Sequence, residues 1–168
     1  MEIRDERAQD ITAIHRLNKE AFGSDTEANL VDSLRTSDVP MISLVAVNNE
    51  TVVGHILFTP MNDADGNAIP VAGLAPMAVL PAYQNQGIGS ALVREGLECC
   101  QVAGYQAVVV LGHPAYYPRF GFLSASHFDI QSQYDVPDEA FMALELKAGA
   151  LDRISGTVKY HSVFDEAV

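Results

Sequence analysis

Basic residues and cysteines are scarce in this chain of 168 residues, and tryptophan is absent. Ten lysines and arginines stand against 22 aspartates and glutamates, which gives a formal net charge of −12. Such a charge repels nucleic-acid phosphates and anionic lipids, so we expect no nucleic-acid and no membrane partner. The acidic residues are spread along the whole chain, which favours solubility as their role. Attraction of a cationic, amine-bearing substrate is the alternative.

Long apolar runs are missing too. No stretch approaches the ~18 apolar residues of a membrane helix, and the first five residues lack the basic-then-apolar pattern of a signal peptide. We therefore expect a cytoplasmic protein. Cys99 and Cys100 are adjacent within a helical pattern, which indicates reduced packing residues. The histidines are scattered without the spacing of metal ligands, so we expect no metal site.

The most informative stretch is Gln-Asn-Gln-Gly-Ile-Gly-Ser at residues 84–90. It follows an apolar run and opens a helical pattern, so it predicts a strand, a turn and a helix N-terminus. Such a turn presents unpaired main-chain N–H groups to an anion. Gly87 and Gly89 let the main chain approach phosphate oxygens closely, and the Ser90 hydroxyl adds a donor. The sequence therefore predicts a site for a phosphate-bearing ligand.

Two common phosphate-binding motifs do not fit this stretch. A P-loop requires Gly-Lys-Ser/Thr after the turn, and no lysine follows here. The dinucleotide-binding fingerprint requires a small residue at the position that Leu92 occupies. Nucleoside triphosphates and NAD are therefore disfavoured as ligands.

The spacing of apolar residues predicts one α/β domain, a mixed sheet flanked by helices. A short edge strand at residues 1–4 precedes helical spacing over residues 8–21 and a second helix opened by a capping box at residues 24–27. A third helix is predicted at residues 87–103. The predicted strands lie at residues 42–47 and 51–59, joined as a hairpin, and at residues 69–79, 107–111, 128–130, 141–146 and 156–160.

Residues 84, 87 and 89 also match the Q/R-x-x-G-x-G/A signature of the GNAT superfamily of N-acetyltransferases, so this segment resembles motif A of that family. Residues 77–81 resemble its strand leading into V-x-P, and residues 117–122 resemble its later Y-x-x-x-G-F. Three signatures in the family's order argue against chance. We assign residues 1–147 to the acetyltransferase domain and expect residues 148–168 to be an extension that packs on it.

The resemblance implies the GNAT fold, a mixed and mostly antiparallel twisted sheet in which two adjacent parallel strands splay apart, here residues 69–79 and 107–111. Acetyl-CoA, the cosubstrate, then lies in the opening, with its pantetheine on the first strand and its pyrophosphate on the turn. The residues so assigned to the cofactor are Met77, Ala78, Val79, Gln84, Asn85, Gln86, Gly87, Ile88, Gly89 and Ser90.

Tyr117 matches the family's tyrosine four positions before the glycine, and the resemblance implies that it is the general acid for the leaving thiolate. A packing role is the alternative, and Tyr116 is expected to pack or to contact substrate. Pro118 disfavours helical dihedrals at Tyr117, so we expect a single turn there. Where many relatives carry an asparagine, this chain has His113 and its neighbours, and His113 stays open between cap, pocket wall and proton acceptor.

The implied activity is transfer of an acetyl group from acetyl-CoA to a primary amine by direct attack in a ternary complex. A non-catalytic acyl-CoA-binding regulatory domain and an enzyme using a longer acyl group are the alternatives. The acceptor, a small molecule or a peptide, is not identified by the sequence, and neither is the state of monomer or homodimer. No general base is assigned, because capping explains the acids Asp25 and Glu27.

Overall fold

The computed structural model describes residues 1–167, which form a single mixed sheet with helices on both faces. Strand β1 (Glu2–Asp5) precedes helices α1 (Ile11–Phe22) and α2 (Thr26–Thr36). Three long strands follow, β2 (Ile42–Asn48), β3 (Thr51–Asp63) and β4 (Ala68–Val79). Helix α3 (Ile88–Val102) then leads to β5 (Ala107–Leu111). The remaining strands are short: β6 (Leu123–Ser124), β7 (Ile130–Ser132), β8 (Phe141–Glu145) and β9 (Gly156–Lys159).

The strands are ordered β1-β2-β3-β4-β5-β8-β6, and all neighbours on this path are antiparallel except β4 and β5. Strand β9 pairs with the end of β3 and with β7, so residues after 147 join the same sheet. The predicted fold class, a mostly antiparallel sheet with an adjacent parallel pair, is confirmed.

Two apolar layers cover the sheet. Helix α3 packs on one face, where Gly96 allows close contact because a Cβ there would lie 2.3 Å from Cε1 of Phe58. Helices α1 and α2 pack on the other face, together with residues 158–164. None of the described helices is long and apolar enough to cross a membrane. The cytoplasmic location expected from the sequence stays a prediction.

Two local predictions from the sequence differ from the structure. The predicted capping box at residues 24–27 is wrong: Asp25 is the N-cap without a side-chain cap bond, and the Ser24 hydroxyl donates to the Glu27 carboxylate (3.4 Å). The strand predicted at residues 128–130 is also misplaced. Phe128 ends a 3-10 turn, and Asp129, at φ +59°, turns the chain before β7 begins.

Candidate active site

A cleft opens where the parallel strands separate. Strands β4 and β5 pair from Val71 opposite Ala107 to Leu74 opposite Val110, and β4 then continues to Val79 paired with β3 alone. A cavity of about 1060 Å³ fills this gap. It extends from the loop before α3 to the ends of α1 and α2, and so it connects the two faces of the sheet.

The separated edge of β4 offers main-chain groups to the cleft. The Leu80 N–H donates to Val53 of β3 (2.9 Å), and Ala78 lies opposite His55 of the same strand. Because main-chain groups alternate in direction along a strand, those of Met77 and Val79 face the opening instead. The Gln84 side chain donates to the Val79 carbonyl from that side (3.0 Å), which ties the loop to the strand.

The loop at residues 84–90 has the form of an anion site. Asn85 and Gly87 take left-handed dihedrals, with φ of +62° and +84°, and α3 begins at Ile88. Within the described structure the main-chain N–H groups of residues 85–90 have no hydrogen-bond partner. Together with the helix dipole they attract negative charge. Of the predicted loop residues, only Gln86 does not line the cleft, since its amide donates to the Ala82 carbonyl (3.3 Å).

Tyr116 and Arg119 lie over this loop. The Tyr116 hydroxyl is 3.3 Å from the Ser90 hydroxyl, and a Cβ at Gly89 would lie 3.0 Å from it. The guanidinium of Arg119 stacks on the Tyr116 ring at 4.4 Å and donates to the Tyr116 carbonyl (3.0 Å). Arg119 is the one arginine or lysine among the described lining residues. Arg119 was not predicted from the sequence as a site residue, although a basic residue within a motif is informative in a chain with so few basic residues.

Tyr117 lies deeper in the cleft. It begins the single 3-10 turn expected from Pro118, and its side chain is only 7% exposed. Its ring covers Gly112, where a Cβ would lie 2.5 Å from Cε2, and it packs edge-on against Phe122. Burial, with a smaller effect of neighbouring Tyr116, raises the pKa of Tyr117 to about 12. The phenol is therefore a proton donor at neutral pH.

The far end of the cleft is aromatic. Phe22 and Glu27 reach it from α1 and α2, and Tyr134, Tyr160 and Phe164 reach it from the last part of the chain. Glu27 is the only carboxylate among the described lining residues, so capping does not suffice to explain it. His113 is exposed on the wall, where its carbonyl accepts the Tyr116 N–H (3.1 Å). In residues 1–167 no group of three or more His, Cys, Asp and Glu side chains could hold a metal ion.

Comparison with known proteins agrees with this geometry. The model of the acetyltransferase (GNAT) family matches residues 9–122, which include the loop, the separated edge of β4 and Tyr117. The chain belongs to the GNAT acetyltransferase family. The family and the acetyltransferase class inferred from the three motifs are thereby confirmed.

Relatives of this GNAT acetyltransferase match along nearly its whole length. YhbS of Escherichia coli strain K12, an uncharacterized N-acetyltransferase, is 40% identical over 98% of this chain and 99% of its own. A crystal structure of E. coli YhbS in complex with CoA has a TM-score of 0.93 at 39% identity, covering 98% of this chain and 91% of that one. A GNAT acetyltransferase from Brucella melitensis in complex with acetyl-CoA has a TM-score of 0.83 at 36% identity, covering 98% and 97%.

Proposed function

We propose that this enzyme transfers an acetyl group from acetyl-CoA to a primary amine by direct attack in a ternary complex. The observation that carries the proposal is the continuous cleft, which joins the unpaired N–H groups of residues 85–90 to a buried, protonated phenol and then to an aromatic end. The related structures with CoA and acetyl-CoA support the cosubstrate.

The cofactor half of the cleft supports a specific pose. The N–H groups of residues 85–90 would receive the pyrophosphate, and Arg119 adds a positive charge beside them. The main-chain groups of Met77 and Val79 would pair with the pantetheine amides in place of a neighbouring strand, with Ala78 between them. The thioester then lies beyond Leu74, where the strands have just separated.

The chemistry needs little beyond these groups. A neutral amine forms its N–C bond with the thioester carbonyl as the C–S bond breaks, and the surplus proton on its nitrogen passes to water. A main-chain N–H of β4 that faces the opening would stabilise the oxyanion. Tyr117 would donate its proton to the departing thiolate. Neither cysteine lines the cleft, and burial raises the pKa of Cys100 to about 12, which favours direct attack over a covalent enzyme intermediate.

A matched pair of variants tests this proposal. With free CoA release as the assay, Tyr117→Phe should lower kcat by roughly 10²-fold or more, because a general acid contributes about that factor. The affinity for acetyl-CoA should not change. Tyr116→Phe removes the neighbouring hydroxyl, and its decrease in kcat should be far smaller.

Three results would contradict parts of the proposal. A larger loss in Tyr116→Phe, with Tyr117→Phe unaffected, would refute the role of Tyr117. Tight acetyl-CoA binding without CoA release for any amine would favour a non-catalytic acyl-CoA-binding domain. Faster turnover with a longer acyl-CoA would replace acetyl as the transferred group.

A further inference from the structure

An aromatic wall of Tyr134, Tyr160 and Phe164 closes the end of the cleft opposite the anion-binding loop. The Tyr160 ring lies 4.8 Å from that of Phe164 and 6.2 Å from that of Tyr134, centroid to centroid. Helix α2, which carries Glu27, packs against the segment that contains Phe164. The wall and the single carboxylate of the cleft therefore lie at the same end.

The fold fixes Tyr160 beside the point where the strands separate. Strand β9 pairs with β3 through Asn62 opposite Lys159, which brings the next residue over β4. Its ring covers Gly73, where a Cβ would lie 2.6 Å from Cε1, so only glycine fits beneath it. The Tyr160 N–H donates to the Gln133 side chain (2.6 Å). The ring is thus held from two directions over Gly73, one residue before Leu74, the last residue of β4 that pairs with β5.

The Tyr160 hydroxyl has no partner within the described residues, although the residue is only 5% exposed. The Leu111 N–H lies nearby but does not reach hydrogen-bond geometry. A buried hydroxyl without a partner is unfavourable, so a group in the cleft that supplies a hydrogen bond to it gains affinity. The other hydroxyl of the wall differs, because Tyr134 donates to Asp165 (3.0 Å).

Charge is separated along the cleft. Arg119 lies at the cofactor end, and no lysine or arginine among the described lining residues reaches the aromatic wall. Glu27 gives that end a negative charge instead. Aromatic faces favour apolar bodies and organic cations, and a carboxylate repels anions.

We propose that the Tyr160 oxygen accepts a hydrogen bond from the attacking amine of the acceptor. The nitrogen lone pair is then left to face the thioester. The aromatic wall and Glu27 select an amine with an aromatic or apolar body and without an anionic group. This inference rests on the proposed acetyl transfer, since it names the acceptor class of the same cleft.

Two acceptors that differ in charge test the selection: benzylamine and its para-carboxylate. At saturating acetyl-CoA, kcat/KM from CoA release should be at least tenfold lower for the carboxylate than for benzylamine. In Glu27→Gln, kcat/KM for the carboxylate should be closer to that for benzylamine. A preference for the carboxylate would overturn the selection.

Tyr160→Phe tests the hydrogen bond, and Tyr105→Phe, whose hydroxyl lies outside the cleft, is the matched control. Tyr160→Phe should raise KM for benzylamine and lower kcat/KM about 5- to 10-fold, the worth of one hydrogen bond. Its melting temperature should not fall, because the hydroxyl lacks a partner before substrate binds. Kinetics equal to those of Tyr105→Phe would overturn the proposal.

Calorimetric titration of benzylamine into the CoA-bound protein separates this inference from the proposed function. No CoA release, with binding that Tyr160→Phe weakens, would refute acetyl transfer and uphold the subsite. CoA release, together with benzylamine binding that Tyr160→Phe leaves unchanged, would uphold acetyl transfer and refute the subsite. No CoA release, together with benzylamine binding that Tyr160→Phe does not weaken, would overturn both acetyl transfer and the subsite.

Discussion

A buried histidine should make this protein sensitive to mild acid. His55 of β3 is 0% exposed, its Nε2 lies 2.9 Å from the Ser43 hydroxyl and its Nδ1 lies 3.4 Å from the Asn18 amide. Ser43 in turn donates to Glu6, which pairs with Arg35. Burial, and secondarily the positive charge of Arg35, lowers the pKa of His55 to about 3.

The sign and size of the effect follow from the two protonation states. Between the ordinary pKa of 6.5 and the folded pKa of about 3, the unfolded chain binds a proton at His55 and the folded protein does not. The stability is therefore complete above about pH 6.5 and falls as the pH is lowered towards 3. From pH 7.5 to 5 the loss is roughly 2 kcal/mol, at ~1.4 kcal/mol per pH unit below the unfolded pKa.

Urea unfolding of the wild type and of His55→Gln at pH 7.5 and pH 5 measures this loss. Glutamine keeps one acceptor for Asn18 and one donor for Ser43 but does not titrate. The free energy of unfolding of the variant should depend on pH by about 2 kcal/mol less than that of the wild type. His127→Gln, at an exposed histidine, should retain the wild-type dependence. Equal pH dependence in wild type and His55→Gln would refute the reasoning.

Three further predictions concern the cleft. Gly89→Asp should abolish acetyl-CoA binding in calorimetric titration and leave the far-UV circular dichroism spectrum unchanged, because its carboxylate would occupy the position of the phosphate. Unchanged affinity would refute the assignment of this loop to the phosphate. Because burial raises the pKa of Tyr117 to about 12, kcat should not decrease with pH up to pH 10. A decrease in kcat with a midpoint between pH 8 and 10 would contradict this prediction. If the charge of −12 attracts cationic acceptors, their kcat/KM should fall between about 0.01 and 0.5 M salt, whereas a flat profile would leave solubility as its role.

The geometry of the loop in the proposed cofactor half was predictable because its determinants are local in sequence. Residues 84–90 carry the glycines, the left-handed turn and the helix start within seven positions, and Tyr117 is fixed by a short motif. The hairpin between β2 and β3 was predicted for the same reason. Its turn residues Asn49 and Glu50 both have positive φ, as a tight two-residue connection requires.

The proposed acceptor half of the cleft was not predictable, because long-range strand pairing creates it. Nothing near Tyr160 in the sequence shows that β9 pairs with β3, almost a hundred residues earlier, and so brings the ring onto Gly73. Glu27 was explained by capping, since the four-residue pattern that suggests a capping box carries no information about the cleft beside α2.

The positions of the two halves bear on how acceptors differ between relatives. The family model ends at residue 122, after the loop and Tyr117 but before the aromatic wall, whereas the similarity to YhbS spans 98% of this chain and includes the wall. A segment outside the part that the family model matches can change the proposed acceptor subsite without disturbing the proposed cofactor site, because the two lie on opposite faces of the sheet and meet at the opening beyond Leu74. On the proposed acceptor subsite, the aromatic residues of this segment together with Glu27 of α2, rather than the loop or the phenol, should decide which GNAT relatives share an amine with this protein.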